Sequence, residues 1–268
     1  MIADAPNPVM TTTSTLPRLL GRGAVAGGAA GLLAGGFSYL FAEPLMDRAV
    51  RLESARHAAG AHEHTEEVFT RTQQHLGLVA ASVTAGVALG VLFAVVYATL
   101  HRRDLDARPW ERSLGLAGAA LVGIWLLPFL RYPANPPGVG AEDTVGLRTA
   151  GWLGAIVIGA AAVIVAWRVY AQLDRASRPL RQGAGAGVVI AGLAMLFLLP
   201  DNPDPIDVPA GLLWEFRMLS AASSVLLWAG LGVAFGVLGL RAARPSGAGR
   251  ARRPSPATGS APPATSPD

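Results

Sequence analysis

The sequence predicts an all-α membrane protein with about six transmembrane helices arranged as three hairpins and both termini in the cytoplasm. Hydrophobic residues make up 51% of the 268-residue chain and charged residues only 15%. Stretches of 18 residues or more lack Asp, Glu, Lys and Arg; they are Gly23–Ala42, Thr72–Leu100, Ser113–Leu130, Thr149–Trp167, Gln182–Pro200 and Met218–Leu240. A helix of about 20 residues crosses a bilayer. Six such stretches leave little chain for a soluble domain.

The first stretch predicts a helix that stays in the membrane rather than a cleaved signal peptide. Its apolar part is about 20 residues long, whereas the h-region of a signal peptide has about 7–15. Glycine occupies every fourth position, at Gly23, Gly27, Gly31 and Gly35. This tandem GxxxG face allows close approach of a second helix. We expect it to pack inside the monomer, with a subunit interface as the alternative.

The positions of arginine predict the orientation of the remaining helices. The chain has no lysine, and all 22 Lys or Arg positions are arginine. If the helices alternate, one side holds fifteen arginines, and the other holds seven with twelve of the eighteen acidic residues. The fifteen are Arg18, Arg22, Arg102, Arg103, Arg108, Arg112, Arg168, Arg175, Arg178, Arg181, Arg241, Arg244, Arg250, Arg252 and Arg253. Because basic loops stay in the cytoplasm, we expect both termini inside and the proline-containing loops outside.

The absence of two residue types excludes several functions. Without lysine the chain has neither a P-loop nor a Schiff-base nucleophile. Without cysteine it has no disulfide, Fe–S site or thiolate metal ligand. No Asp, Glu, Arg or His lies near the centre of a predicted helix, which argues against a proton-driven exchanger. No nucleic-acid-binding motif accompanies the arginines. We therefore predict neither an enzyme nor a nucleic-acid-binding protein.

The loop after the first helix carries most of the histidines. His57, His62 and His64 lie among glutamates in "ESARHAAGAHEHTEE", and Glu43 begins the loop. Imidazole with carboxylate and no thiol suits Zn, Ni, Co or Cu, and these ligand types do not select one of them. The pattern predicts transient metal capture, with a solvated polar loop as the alternative. Glu43 and the three loop histidines (His57, His62 and His64) are candidate ligands.

The second and third loops share an Asn-Pro core, in "YPANPP" and "PDNPDPIDVP". Residues before proline are forced out of the helical region, so these segments resemble polyproline II, which leaves its carbonyls free. Asp201, Asp204 and Asp207 are spaced by three, the number of residues in one polyproline II turn. With Asn135 they could offer oxygens to a divalent cation at an outer mouth. The alternative is a stiff connector between helices.

Each of these two loops ends at an arginine, Arg148 or Arg217. We expect each arginine to hold its own loop against the helix that follows. The nearest acidic residues along the chain are the expected partners, and they are Glu142, Asp143 and Glu215.

Several segments resemble the CbtA family of probable cobalt transporter subunits. They include "FAEPLMDRAVRLE" before the histidine loop, "LLPFLRYPANPPGVGAEDTVGLRT" and "LLWEFRMLSAASS". The resemblance covers roughly residues 20–240. Positions that match the recurrent ones of the family are Glu43, Pro44, Asp47, Arg71, Tyr132, Pro133, Asn135, Pro136, Pro137, Arg148 and Arg217. The resemblance implies an integral membrane component of bacterial cobalt uptake, linked to cobalamin supply. It also implies a small, single-span, histidine-bearing CbtB-type partner subunit.

Two functions are weighed from these observations. The first is a subunit of a divalent cobalt uptake transporter in the bacterial inner membrane, with Co²⁺ as cargo and no permanently bound cofactor. The second is a non-transporting scaffold or assembly subunit for a small partner that moves the ion. In either case we expect lipid contacts and allow a homo-oligomer. The predicted domains are a disordered tail over 1–17, a six-helix transmembrane domain over 18–243 and a disordered basic tail over 244–268.

Overall fold

The structure, a computed structural model, describes residues 15–42, 44–51, 71–137 and 139–243, which form helices and loops without a strand. The helices are α1 Thr15–Phe37, α2 over residues 44–51, α3 Arg71–Leu100, α4 Pro109–Ala120, α5 Leu127–Arg131, α6 Val145–Gln172, α7 Arg178–Leu196 and α8 Ala210–Ala243. The predicted all-α class is confirmed. Helix α1 begins before the predicted boundary at residue 18, and the tails 1–14 and 244–268 lie outside the described residues.

Within the described ranges, six helices are long and apolar enough to cross a membrane, as predicted. One of them combines α1 with the π-helical turn Ser38–Ala42, and another joins α4 to α5 through the π-helical segment Leu121–Leu126. The six spans are Leu16–Ala42, Gly77–Leu100, Pro109–Arg131, Val145–Gln172, Arg178–Leu196 and Ala210–Ala243. The chain is therefore a multi-pass membrane protein.

The order of the helices across the bundle differs from their order in the chain. Helix α1 packs against α3 and α8, α8 also packs against α4, and α6 packs against α7 and the π-helical segment after α4. One buried cluster, which includes Phe93, Tyr97 and Phe235, joins α1, α3, α4 and α8. A second, around Leu127, Ala155 and Leu196, joins α5, α6 and α7. After α7 the chain therefore returns to the other cluster, where α8 packs between α1 and α4. The arrangement of the six helices as three hairpins stays a prediction.

The glycine face of α1 packs against α3, as expected for packing inside the monomer. A Cβ atom added at Gly27 would overlap the carbonyl oxygen of Gly86, and one added at Gly23 would overlap that of Gly90. The same holds for Gly31 against the carbonyl oxygen of Ser82. The two backbones are in direct contact, which only glycine permits here.

The helix from α4 to α5 contains a π-helical segment because Pro128 follows it. Proline has no N–H, and its ring clashes with the carbonyl four residues earlier. The backbone N–H of Leu127 bonds instead to the oxygen of Val122, a five-residue step. Across this segment, the rings of Trp125 and Phe129 stack with their centroids 4.6 Å apart. Single π-helical turns occur frequently at functional sites.

Candidate functional site

The second and third loops, residues 132–144 and 197–209, lie at one end of the bundle and are bound to each other. We refer to this as the proline-loop end. Helix α5 stops there because Pro133 forces Tyr132 out of the helical region, with φ −126° and ψ 76°. The hydroxyl of Tyr132 then donates a hydrogen bond to the carbonyl of Pro200, at 2.6 Å. Three further arginine contacts hold these loops to each other or to the neighbouring helices.

The first contact is made by Arg131, the last residue of α5. Its Nε donates to the carbonyl of Leu196 at 3.1 Å, and its Nη2 donates to the carbonyl of Leu199 at 2.6 Å. Nη2 also lies 2.7 Å from Oδ1 of Asp201. The arginine side chain is only 10% exposed, whereas the Asp201 side chain is 91% exposed. Arg131 thus satisfies carbonyls at the C-terminus of α7, where a positive charge is favourable.

The second contact centres on Asp204 in the third loop. Its carboxylate is 3% exposed, and the Thr144 hydroxyl lies 2.9 Å from each of its oxygens. The backbone N–H of Ala141 donates to Oδ1 at 3.3 Å. Nε of Arg148 lies 3.2 Å from Oδ2 but does not point its N–H at it, so the contact is an ion pair rather than a hydrogen bond. A buried carboxylate needs such compensation, and this one links the third loop to the start of α6.

The third contact joins α8 to the second loop. Nη2 of Arg217 donates to the amide oxygen of Asn135 at 3.0 Å, and Nε donates to the carbonyl of Ala134 at 3.3 Å. Both acceptors are neutral. Arg217 therefore positions the "PANPP" segment while its charge has no carboxylate partner among the described residues.

The prediction that each arginine holds its own loop is confirmed for Arg148, which donates to the carbonyls of Val139 and Ala141. It is wrong for Arg217, which bonds the second loop. Among the described side chains, the predicted acidic partners are wrong for both. Arg148 pairs with Asp204 of the third loop, and Glu215 lies 3.7 Å from Arg48. The arginines reach across because the two loops lie side by side, which brings distant residues closer than sequence neighbours.

The predicted metal ligands are only partly brought together. Asp201 and Asp207 are exposed and Asp204 is buried, so the three do not form one exposed edge. The amide oxygen of Asn135 already accepts from Arg217. Glu43 and the three loop histidines lie outside the described residues. In the parts of the chain that the structure describes, no group of three His, Asp or Glu side chains is close enough to hold a metal ion.

Two residues of this network, Arg131 and Thr144, were not singled out by the sequence. Arg131 follows an apolar run, and an arginine at the end of a membrane helix normally extends toward water. Thr144 precedes α6 and resembles an ordinary helix-start residue. Their partners are 60 or more residues away in the chain, so no local pattern indicates these roles.

A cavity of 810 Å³ lies at the proline-loop end. Its walls come from the π-helical segment and α5, the start of α6, the second and third loops and α8. Apolar and aromatic side chains line much of it, among them Trp125, Phe129 and Trp152. Among the residues that the structure describes, the charged ones in its wall are Arg131, Arg148, Arg217 and Asp201. The cavity is thus partly aromatic, and its wall carries more positive than negative charge.

The opposite end of the bundle carries a basic surface around His101. Its Nδ1 lies 3.0 Å from the carbonyl oxygen of Tyr97, and the two rings are 4.6 Å apart. Burial lowers the pKa of His101, the bond to Tyr97 opposes this shift, and nearby Arg112 adds to it. The neutral imidazole is therefore favoured next to the arginines of this end.

Comparison with known proteins identifies a family. A family model described as probable cobalt transporter subunit (CbtA) matches residues 16–239. Neither the curated proteins nor the solved structures give a match. The matched range begins near the start of α1 and ends within α8, so it includes all six membrane-length helices and both proline-containing loops.

Proposed function

The chain belongs to the CbtA family of probable cobalt transporter subunits, and from this premise we propose that it supports inward movement of divalent cobalt across a bacterial inner membrane. The observation that carries this proposal is the interlocked pair of proline-containing loops above an 810 Å³ cavity. A mouth held by ion pairs and proline is arranged before the cargo arrives, which avoids the entropy cost of ordering a flexible loop.

The proposed orientation places both termini in the cytoplasm and the proline-loop end outside. It is supported by the excess of arginine in the segments on the opposite side, since basic loops stay in the cytoplasm. In this orientation a divalent cation moving inward gains about 4.6 kcal/mol per 100 mV of membrane potential, at about 2.3 kcal/mol per charge. That energy could drive uptake without ATP hydrolysis. The link to cobalamin supply is part of the same proposal.

We assign each candidate ligand a role from its chemistry, its exposure and its contacts. Glu43 and the three loop histidines would gather metal at the outer surface, because imidazole and carboxylate bind borderline cations. Asp201 and Asp207 would lie at the mouth as exposed carboxylates, and the charge of Asp201 is partly offset by Arg131, 2.7 Å away. Asp204 would act mainly as a structural link, because a metal ion would have to displace the contacts with Thr144 and Arg148.

We further propose a small CbtB-type membrane subunit as the partner. The name of the family describes a transporter subunit, which is the reason to expect one. The glycine face of α1 is occupied by α3, so such a partner would have to dock on another surface of the bundle. In a homo-oligomer, a second copy of the chain would likewise have to dock on a surface other than the glycine face of α1.

Uptake of radioactive cobalt in a host that lacks its own cobalt transporters tests this function. Four strains are compared: empty vector, this chain alone, the small subunit alone, and both together. We expect saturable uptake with both, well above that with the small subunit alone, at matched membrane abundance. Equal uptake with and without this chain would reject the proposal. Uptake by the small subunit alone that rises only with its abundance would identify this chain as a scaffold.

A further inference from the structure

The charge of the cavity at the proline-loop end does not suit a bare divalent cation. Its wall contains three arginines and one aspartate. Arg131 and Arg148 each have a carboxylate partner, Asp201 and Asp204. Among the described residues, Arg217 contacts the amide oxygen of Asn135 and the carbonyl of Ala134, and no carboxylate in that part of the chain pairs with it. A positive charge held in a partly buried wall repels a cation and attracts an anion.

The size and lining of the cavity indicate an organic ligand. Sites for small organic molecules usually measure about 300–1,000 Å³ and combine apolar walls with a few placed polar groups. This cavity, of 810 Å³, has Trp125, Phe129 and Trp152 in its wall together with Arg217. A guanidinium group binds carboxylates through paired hydrogen bonds. The ligand class that fits both features is a small organic acid.

The cavity and the proposed cobalt cargo are related through the supply of metal ligands. Within the described residues no three His, Asp or Glu side chains come close enough to hold a metal ion. A polycarboxylate supplies the oxygen ligands that a divalent cation needs, and it also supplies negative charge for Arg217. We infer that the cavity binds a small polycarboxylate anion through Arg217, and that the divalent cation reaches this site as the carboxylate complex. The second half of this inference rests on the proposed function.

Equilibrium binding to the purified full-length protein in nanodiscs tests the inference, with radioactive citrate as the probe. We expect saturable citrate binding by the natural sequence and at least tenfold weaker binding by Arg217→Gln. Arg178→Gln, which removes an arginine from the start of α7 at the other end of the bundle, serves as the matched control and should bind citrate normally. No saturable binding, or equal binding by Arg217→Gln, would overturn the inference.

A second variant covers the case in which Arg217→Gln fails to fold. In the natural sequence, Oδ1 of Asn135 lies 3.0 Å from Nη2 of Arg217. Asn135→Asp keeps an oxygen at this position and adds a negative charge that neutralises the charge of Arg217. The contact between α8 and the second loop is retained, yet citrate should bind at least tenfold more weakly. Normal citrate binding by a folded Asn135→Asp protein would contradict the role of Arg217.

Measurements of cobalt binding distinguish this inference from the proposed function. Binding of radioactive cobalt to a protein with alanine at the three loop histidines, which removes that proposed capture site, is measured with and without citrate, and we expect citrate to increase it at least tenfold. Cobalt bound equally well without citrate would reject the carboxylate complex. Because these measurements need no transport, citrate binding without cobalt uptake in cells would reject only the proposed function. Cobalt uptake without citrate binding would reject only the inference.

Discussion

Replacing Asp204 by asparagine tests whether the third loop is held by a buried ion pair. The carboxylate is 3% exposed, and Nε of Arg148 lies 3.2 Å from Oδ2. Asparagine has nearly the same shape, and its amide can still bond to Thr144 and Ala141. The substitution therefore removes mainly the charge attraction and leaves the guanidinium of Arg148 without its counter-charge.

We expect the loss in the free energy of unfolding to lie between the losses found for fully buried and for exposed ion pairs. Breaking a fully buried pair costs about 3–5 kcal/mol, whereas an exposed pair contributes about 0–1 kcal/mol. Asp204 is buried but the Arg148 side chain is 31% exposed, so water screens the arginine. We expect Asp204→Asn to lower the free energy of unfolding by about 1–3 kcal/mol. The matched control is Asp201→Asn, whose carboxylate is 91% exposed; it should lose no more than about 1 kcal/mol.

The assay is thermal unfolding of the purified proteins in one detergent, followed by tryptophan fluorescence. At about 2–4 °C per kcal/mol for a chain of this size, Asp204→Asn should unfold several degrees below Asp201→Asn. A double-mutant cycle with Arg148→Gln isolates the pair, and a coupling free energy of at least about 0.5 kcal/mol is expected for residues in contact. Equal midpoints for the two aspartate variants, or additive effects in the cycle, would refute a buried ion pair as the link.

Three further predictions follow from the fold and the loops. Cysteine introduced at Ala210 should react with an impermeant thiol reagent in intact cells and cysteine at Ala107 should not; the reverse pattern would invert the proposed orientation. Gly27→Ala should lower the unfolding midpoint in detergent because it overlaps α3, whereas Gly21→Ala, which faces open space on the same helix, should leave it unchanged or raise it through helix propensity; equal midpoints would contradict close packing of α1 on α3. Alanine at all three loop histidines should raise the cobalt concentration for half-maximal uptake more than it lowers the maximal rate; an unchanged concentration dependence would exclude metal capture by this loop.

The membrane class and the number of spanning helices were predictable from the sequence. An uncharged run of at least 18 residues has few stable states other than a helix in lipid, because the backbone must satisfy its own hydrogen bonds there. The close packing of Gly23, Gly27 and Gly31 was predictable for a similar reason, since a glycine stripe permits contact that no other residue allows. In each case the information lies within one helix.

The network at the proline-loop end was not predictable in the same way. Sequence spacing placed Asp201, Asp204 and Asp207 on one edge, and it assigned Arg148 and Arg217 to acidic residues of their own loops. Local spacing describes one segment at a time, and it cannot show which segment lies beside it.

Tertiary packing decided which charges meet and which stay exposed. Helix α8 packs between α1 and α4, so the third loop returns beside the second. That position buries Asp204 against Thr144 and Arg148, leaves Asp201 open to water, and, within the described residues, gives Arg217 neutral acceptors. The sequence by itself therefore determined the class of the protein and its spanning helices. The cavity and the contacts of Arg217 in its wall arise from residues far apart in the chain, whose interaction energies depend on burial and distance that only the folded bundle defines.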